Sequence, residues 1–159
     1  MTGKALSKGV KMATVYDVHG QSLVSDLAEA LKKMENISIP EWSVSTKTAA
    51  HRENAPDSDE WWYMRSASIL RKIYLEGPMG TERLSKMYSG SKDRGGKPNK
   101  SHPGGRKIIR TVMKQLEAAE LITHEKGKGR KISPRGQSML DGIAPVSYTH
   151  LTLPTSDLV

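Results

Sequence analysis

Arg65 and Lys72 stand seven residues apart in the run 60–75, and two turns of helix bring them to one edge. Cations recur at Lys92, Arg94, Lys97 and Lys100 in a glycine-rich stretch, then at Arg106, Lys107, Arg110 and Lys114. A last group, Lys126, Lys128, Arg130 and Lys131, surrounds two more glycines. Acids gather elsewhere, around residues 57–60 and 117–120. Glycines between cations let the backbone approach phosphates, and each lysine or arginine that neutralises a phosphate releases a counterion. The chemistry on offer is binding to a polyanion, with these lysines and arginines as the candidate contacts.

Other chemistries have little footing. Cysteine is absent, which removes disulfides, thiolate metal sites and cysteine nucleophiles together. His19, His51, His102, His124 and His150 are scattered without ligand spacing, and no serine, histidine and acid are placed as a nucleophilic set. Gly77-Pro78-Met79-Gly80 and Gly95-Gly96 lack the Walker spacing and read as turns. The expectation is a protein that is not an enzyme and holds no metal or cofactor. Trp61 has two readings. Its position near Arg65, away from the apolar arc, suits a base-stacking platform; packing under the segment that holds Trp42 is the simpler one.

The elements that must position these side chains centre on residues 61–75, where Trp62, Tyr63, Ala67, Ile69, Leu70, Ile73 and Tyr74 cover one broad arc at helical spacing. Arg71 falls away from both Arg65 and Lys72. In a chain of 159 residues with three tryptophans and no phenylalanine, large-side-chain burial is concentrated in this helix. Asp57, Ser58 and Asp59 offer its cap, and Gly77-Pro78 stop it. An earlier helix starts near Ser22 with Val24, Leu27, Leu31 and Met34 inward. Pro40 and Trp42 open a short second segment, helical or irregular, carrying Lys47, His51 and Arg52 and closed by Pro56. Thr81 can cap a short helix in which Leu84 and Met87 or Tyr88 face inward. Residues 91–105 contain no hydrophobic side chain and read as a long loop. Ile109, Val112, Leu116 and Ala119 then mark a helix over 106–120 with Lys107, Arg110 and Lys114 on another side. Two short strands, 121–125 and 130–133, flank Lys126-Gly127-Lys128-Gly129, and Ser133-Pro134 starts a last short helix with Met139, Leu140 and Ile143 inside. Helix, loop, helix, hairpin, helix is the order of a winged-helix unit, so the fold class is mainly α, a winged-helix-like domain around a central tryptophan-rich helix with a small β-hairpin wing.

Length and composition agree with one domain. A formal charge of +8 and a pI near 9.7 point to a polyanionic partner, either nucleic acid or an acidic membrane face, and no apolar run approaches a membrane span. Residues 1–11 read as a disordered basic extension, 12–144 as the domain, and 145–159 as a tail outside it, disordered or a read-through artefact.

The run Asp59-Glu60-Trp61-Trp62-Tyr63-Met64-Arg65-Ser66-Ala67-Ser68-Ile69 resembles the signature of the archaeal and eukaryotic-type small-subunit ribosomal protein nineteen, S19e. The likeness continues through Ile39-Pro40-Glu41-Trp42, Lys47-Thr48, Ile73-Tyr74-Leu75, Tyr88-Ser89-Gly90, Gln115-Leu116-Glu117 and Gly129-Arg130-Lys131-Ile132-Ser133-Pro134-Arg135-Gly136-Gln137. The resemblance implies a structural ribosomal protein of archaeal leaning, cytoplasmic and on the ribosome. It further implies binding to ribosomal RNA of the 3′ major domain in the head of the small subunit, beside neighbouring head proteins, and a part in subunit maturation. Free of the ribosome it would be a monomer. Arg65, Arg110, Gly129 and Arg130 carry over from the family motifs, while Thr111 stands where many relatives have a second basic residue. The alternative is a winged-helix DNA-binding regulator, since Ile132-Ser133-Pro134-Arg135-Gly136 also resembles its wing-to-helix motif; residues 106–120 would then be the recognition helix. The length of residues 91–105 argues against it.

Overall fold

Leu23, Leu27 and Leu31, four residues apart, bury one stripe of helix α1 (Gly20–Lys32) against helix α2 (Trp61–Glu76). The computed structural model describes residues 14–44, 46–56, 58 and 60–157, and the expected extension 1–11 lies outside them. In α2 the wholly enclosed side chains are Trp62, Ser66, Ala67, Ile69, Leu70 and Ile73, while Tyr63 and Tyr74 of the expected arc are only half-buried. Ser66 is tolerated inside because its hydroxyl donates to the Trp62 carbonyl one turn back, 2.8 Å away. The Trp62 indole N–H donates to Gln115 Oε1 at 2.8 Å, and the Gln115 amide donates in turn to the Ser38 carbonyl at 2.9 Å. One polar bridge thus ties three segments across the core.

The starts of α2 and the next helix differ from expectation. Asp57 and Asp59 lie outside the described residues; Ser58 accepts from the Glu60 N–H at 3.3 Å, and the N-cap itself is Glu60, without a side-chain cap bond. Glu60 pairs instead with Lys32 at the end of α1. Helix α3 (Thr81–Met87) is capped by Gly80, and the Thr81 hydroxyl turns to the Met113 sulfur. Of the two residues offered for its inner face, Tyr88 is the one that packs, and Met87 is exposed.

Residues 91–105 are not a loop. Strands β1 (Gly90–Arg94) and β2 (Lys97–His102) pair antiparallel, Lys92 opposite Lys100 and Arg94 opposite Lys97. The turn closes through Asp93 Oδ1, which accepts the Gly95 N–H at 2.9 Å, and Gly95 takes φ +75° there. Both faces of this hairpin are largely in solvent, so it forms without the apolar alternation by which strands are read. At its base, Gly104 donates to the Ser85 carbonyl and Gly105 to that of Thr48, at 2.8 and 2.9 Å.

Helix α4 (Arg106–Ala118) buries Ile108, Ile109, Val112, Met113 and Leu116 against α2 and α3. Strands β3 (Ile122–Glu125) and β4 (Gly129–Ile132) form the expected wing, with positive φ at Gly127 and Gly129. Met79, between α2 and α3, adds a bridge to Arg130, donating and accepting at 2.9 Å. A Cβ on Gly129 would lie 2.5 Å from the Met79 carbonyl oxygen, so only glycine lets the wing close on that segment. Ser133 caps helix α5 (Pro134–Asp157) as expected, accepting from the Gly136 N–H at 3.1 Å. The architecture is a mainly helical, winged-helix-like domain. Its last helix is longer than the short one expected, running to Asp157 through residues expected to lie outside the domain.

Candidate nucleic-acid interface

Trp61, Arg65, Ser68 and Lys72 recur at intervals of four, three and four, forming one stripe along α2 outside its buried arc. Opposite that stripe lies the N-terminal turn of α1, and between them opens a cleft of about 760 Å³. Arg52, from the segment before α2, and Arg71 complete its cationic lining, while Val24, Met64, Pro56 and the Trp61 ring give it an apolar side. Among the described residues, no carboxylate lines it. Arg71 was expected to lie apart from Arg65 and Lys72. Its side chain instead crosses to α1, where a Cβ on Gly20 would sit 3.1 Å from the guanidinium carbon.

Residues that line the cleft also carry enclosed donors. Arg65 Nη1, Arg71 Nε and Trp61 Nε1 are buried without a hydrogen-bond partner. Arg65 is stacked over the Tyr88 ring, 4.1 Å from its centroid, with Lys72 Nζ over the same ring at 5.1 Å. Burial pulls the Arg65 guanidinium below its ordinary pKa, with nearby Arg52 pulling the same way and the Tyr88 interaction opposing. Burial likewise lowers Lys72, and Arg71 and Arg65 beside it add to the shift against Glu76. Burial raises the Tyr88 phenol, whose oxygen lies 2.6 Å from the Ser68 hydroxyl. Helix α1 begins at His19 with no side-chain cap bond, so its positive dipole end faces the same space as Arg71. Like charges held together in this way are relieved by an anion.

Trp62 meets Trp42 edge-on, centroids 5.8 Å apart, and Trp61 stands edge-on to Trp62 at 5.5 Å. Trp61 is partly buried against the core, and it lines the cleft beside Arg52, Asn54, Ala55 and Pro56 of the segment that holds Trp42.

The remaining candidate cations divide by what they touch. Lys107 lies over the Trp42 ring at 4.4 Å, and Arg110 and Lys114 are exposed on the same outer side of α4. In the β1–β2 hairpin, Arg94, Lys97 and Lys100 are exposed and Lys92 is partly covered. Arg106 pairs with Glu82 at 3.9 Å, and at the wing Lys128 and Lys131 both approach Glu125, at 3.8 and 4.0 Å. Arg130 is engaged most: half-buried, its Nε 3.3 Å from Glu117 and its Nη1 3.9 Å from the Met113 sulfur. Lys126 is exposed at the wing tip. The structure therefore gathers Arg65 and Lys72 with two cations not among the candidates, Arg52 and Arg71. Arg71 carried no signal, being about 120° from Arg65 around a helix of 3.6 residues per turn. His51 Nδ1 is also buried and unpaired near this corner, and burial, followed by Arg52, His102 and Arg65, holds its imidazole below the ordinary pKa.

A sequence model of the family described as ribosomal protein S19e matches residues 14–149. The chain is 40% identical over 131 residues, 82% of its own length and 84% of the relative's, to the small ribosomal subunit protein eS19B of Drosophila melanogaster. The archaeal leaning read from the sequence has no support, since this relative is eukaryotic. The family match also runs five residues past the boundary expected at residue 144.

Proposed function

The chain belongs to the ribosomal protein S19e family, and from that premise we propose that it binds small-subunit ribosomal RNA through the cleft between α1 and α2 and the basic surface around it. As a family member it is a structural constituent of the small ribosomal subunit, and its place is the cytoplasmic ribosome. The observation that carries the RNA reading is the cleft: Arg52, Arg65, Arg71 and Lys72 line it with no described carboxylate among them. Protein stability does not account for such a grouping, because clustered like charges cost free energy. A phosphate backbone offsets that cost.

Around the cleft, Lys107, Arg110 and Lys114 of α4, the cations of the β1–β2 hairpin, and Lys126 at the wing tip extend the contact. Arg106, Lys128, Arg130 and Lys131 join it at its edge, where their acidic partners share them. We place the protein in the head of the subunit against the 3′ major domain, next to other head proteins, with a part in maturation of the subunit; it binds without doing chemistry on the RNA and is a monomer when free. Residues 1–11 are a basic extension of the domain 12–144, and residues 145–159 lie outside the RNA-binding unit. The DNA-regulator reading gains no observation in its favour: residues 88–105 still separate α3 from α4, whereas a compact helix-turn-helix joins its helices by a few residues.

The test is binding to a transcript of the 3′ major domain across a salt series. The double variant Arg65→Gln with Arg71→Gln is expected to weaken binding and to flatten the slope of log affinity against log salt by about 1.4 to 1.8, two phosphate contacts' worth. Unchanged affinity and slope would remove the cleft from the interface.

A further inference from the structure

Resting on the RNA-binding reading, we infer that the cleft between α1 and α2 receives a single nucleotide turned out of its stack, rather than the backbone of a regular duplex. Its size is the first reason. A volume of about 760 Å³ falls in the range of about 300 to 1,000 Å³ that encloses a small organic molecule, well beyond the needs of one phosphate. The second is the division of its walls. Arg65, Arg71 and Lys72 present only donors, which suits a phosphate, while Val24, Met64 and the Trp61 ring offer an apolar surface on which a base can rest. Gln21 and Asn54, whose side-chain amides can both donate and accept, lie in the same lining and match the edge of a base, which an acidic peptide or a bare anion would leave unused.

Two RNA hairpins, identical except for one bulged 2-aminopurine nucleotide, test this by affinity and by fluorescence with the full chain. The wild type is expected to bind the bulged hairpin about tenfold or more tightly than the plain one, with the emission of 2-aminopurine changed on binding. Arg71→Gln should bring the bulged hairpin down to the plain one, and Arg110→Ala should weaken both equally. If Arg71→Gln fails to fold, Lys72→Gln takes its place with the same expectation. Equal affinity of the wild type for both hairpins, or a preference for the bulge that Arg71→Gln leaves intact, would overturn the inference while leaving RNA binding in place. Failure to bind either hairpin, or the 3′ major domain transcript, would overturn the RNA reading itself.

Discussion

Replacing Gln115 by leucine should destabilise the fold by removing one acceptor. Gln115 Oε1 is the partner of the Trp62 indole N–H at 2.8 Å, and Trp62 is wholly buried. With leucine there, that N–H stays enclosed and unpaired, which costs about 1 to 3 kcal/mol. The other end of the bridge matters less, because Ser38 is exposed and its carbonyl can turn to water once the Gln115 amide is gone. Helix propensity and length are conserved between glutamine and leucine, so α4 itself is not weakened. A domain of this size shifts its midpoint by about 2 to 4 °C per kcal/mol, so Gln115→Leu should melt about 2 to 12 °C lower. Urea unfolding followed by tryptophan fluorescence is the assay, since Trp42, Trp61 and Trp62 form one edge-on cluster that reports on this bridge. Trp62→Phe removes the donor instead, and in the double variant the two losses should add to less than their sum by about 1 kcal/mol or more. An unchanged urea midpoint for Gln115→Leu, or strict additivity, would refute the claim that this bridge holds α2, α4 and the Ser38 segment together.

Arg110 is exposed and makes no ion pair among the described residues, so Arg110→Ala should keep the wild-type melting temperature; the salt slope of RNA binding should shrink by about 0.7 to 0.9, measured by filter binding. Tyr74 donates to Asp141 at 2.7 Å, and that bond, reinforced by burial, pushes its phenol up to about 12. Because the folded value lies above the ordinary 10.0, the stability this bond contributes is whole below pH 10 and is lost as pH rises toward 12. Absorbance titration should show late-titrating tyrosines, Tyr88 raised by its burial and Tyr74, and Tyr74→Phe should remove the one near 12; a late fraction unchanged in Tyr74→Phe would remove the bond.

What was legible in the sequence is what burial writes into it. The α2 arc, the leucine stripe of α1 and the inner face of α4 all follow from apolar spacing, and the wing follows from Gly127 and Gly129, which take the positive φ that a tight turn demands. The β1–β2 hairpin was missed because its strands have solvent on both sides: Lys92, Lys100, Arg94 and Lys97 face each other across backbone hydrogen bonds, and no hydrophobic period records the pairing. Spacing puts Trp61 beside Arg65, and the structure gives it both a partly buried ring against the core and a place in the cleft lining.

For the cations the limit is sharper, since function depends on which acids come near, and that is decided by tertiary approach. Arg130 reads as a binding residue in the wing motif, yet β4 runs beside α4 and delivers it to Glu117, so part of its charge is spent within the protein. Lys131 and Lys128 share Glu125 across the same hairpin. Arg71 reads as a stray charge on the far side of α2, yet α1 packs so closely over that helix, through Gly20, that the guanidinium is drawn to the helix start and into the company of Arg65 and Lys72. Exposed ion pairs of the first kind contribute roughly 0 to 1 kcal/mol each and tolerate competition from a phosphate. Unpaired cations of the second kind lower the stability of the free protein, and their pKa shifts at Arg65 and Lys72 run in the direction that an incoming anion reverses. The strongest claim to an external partner therefore lies with the cleft, where the described residues group cations with no carboxylate among them.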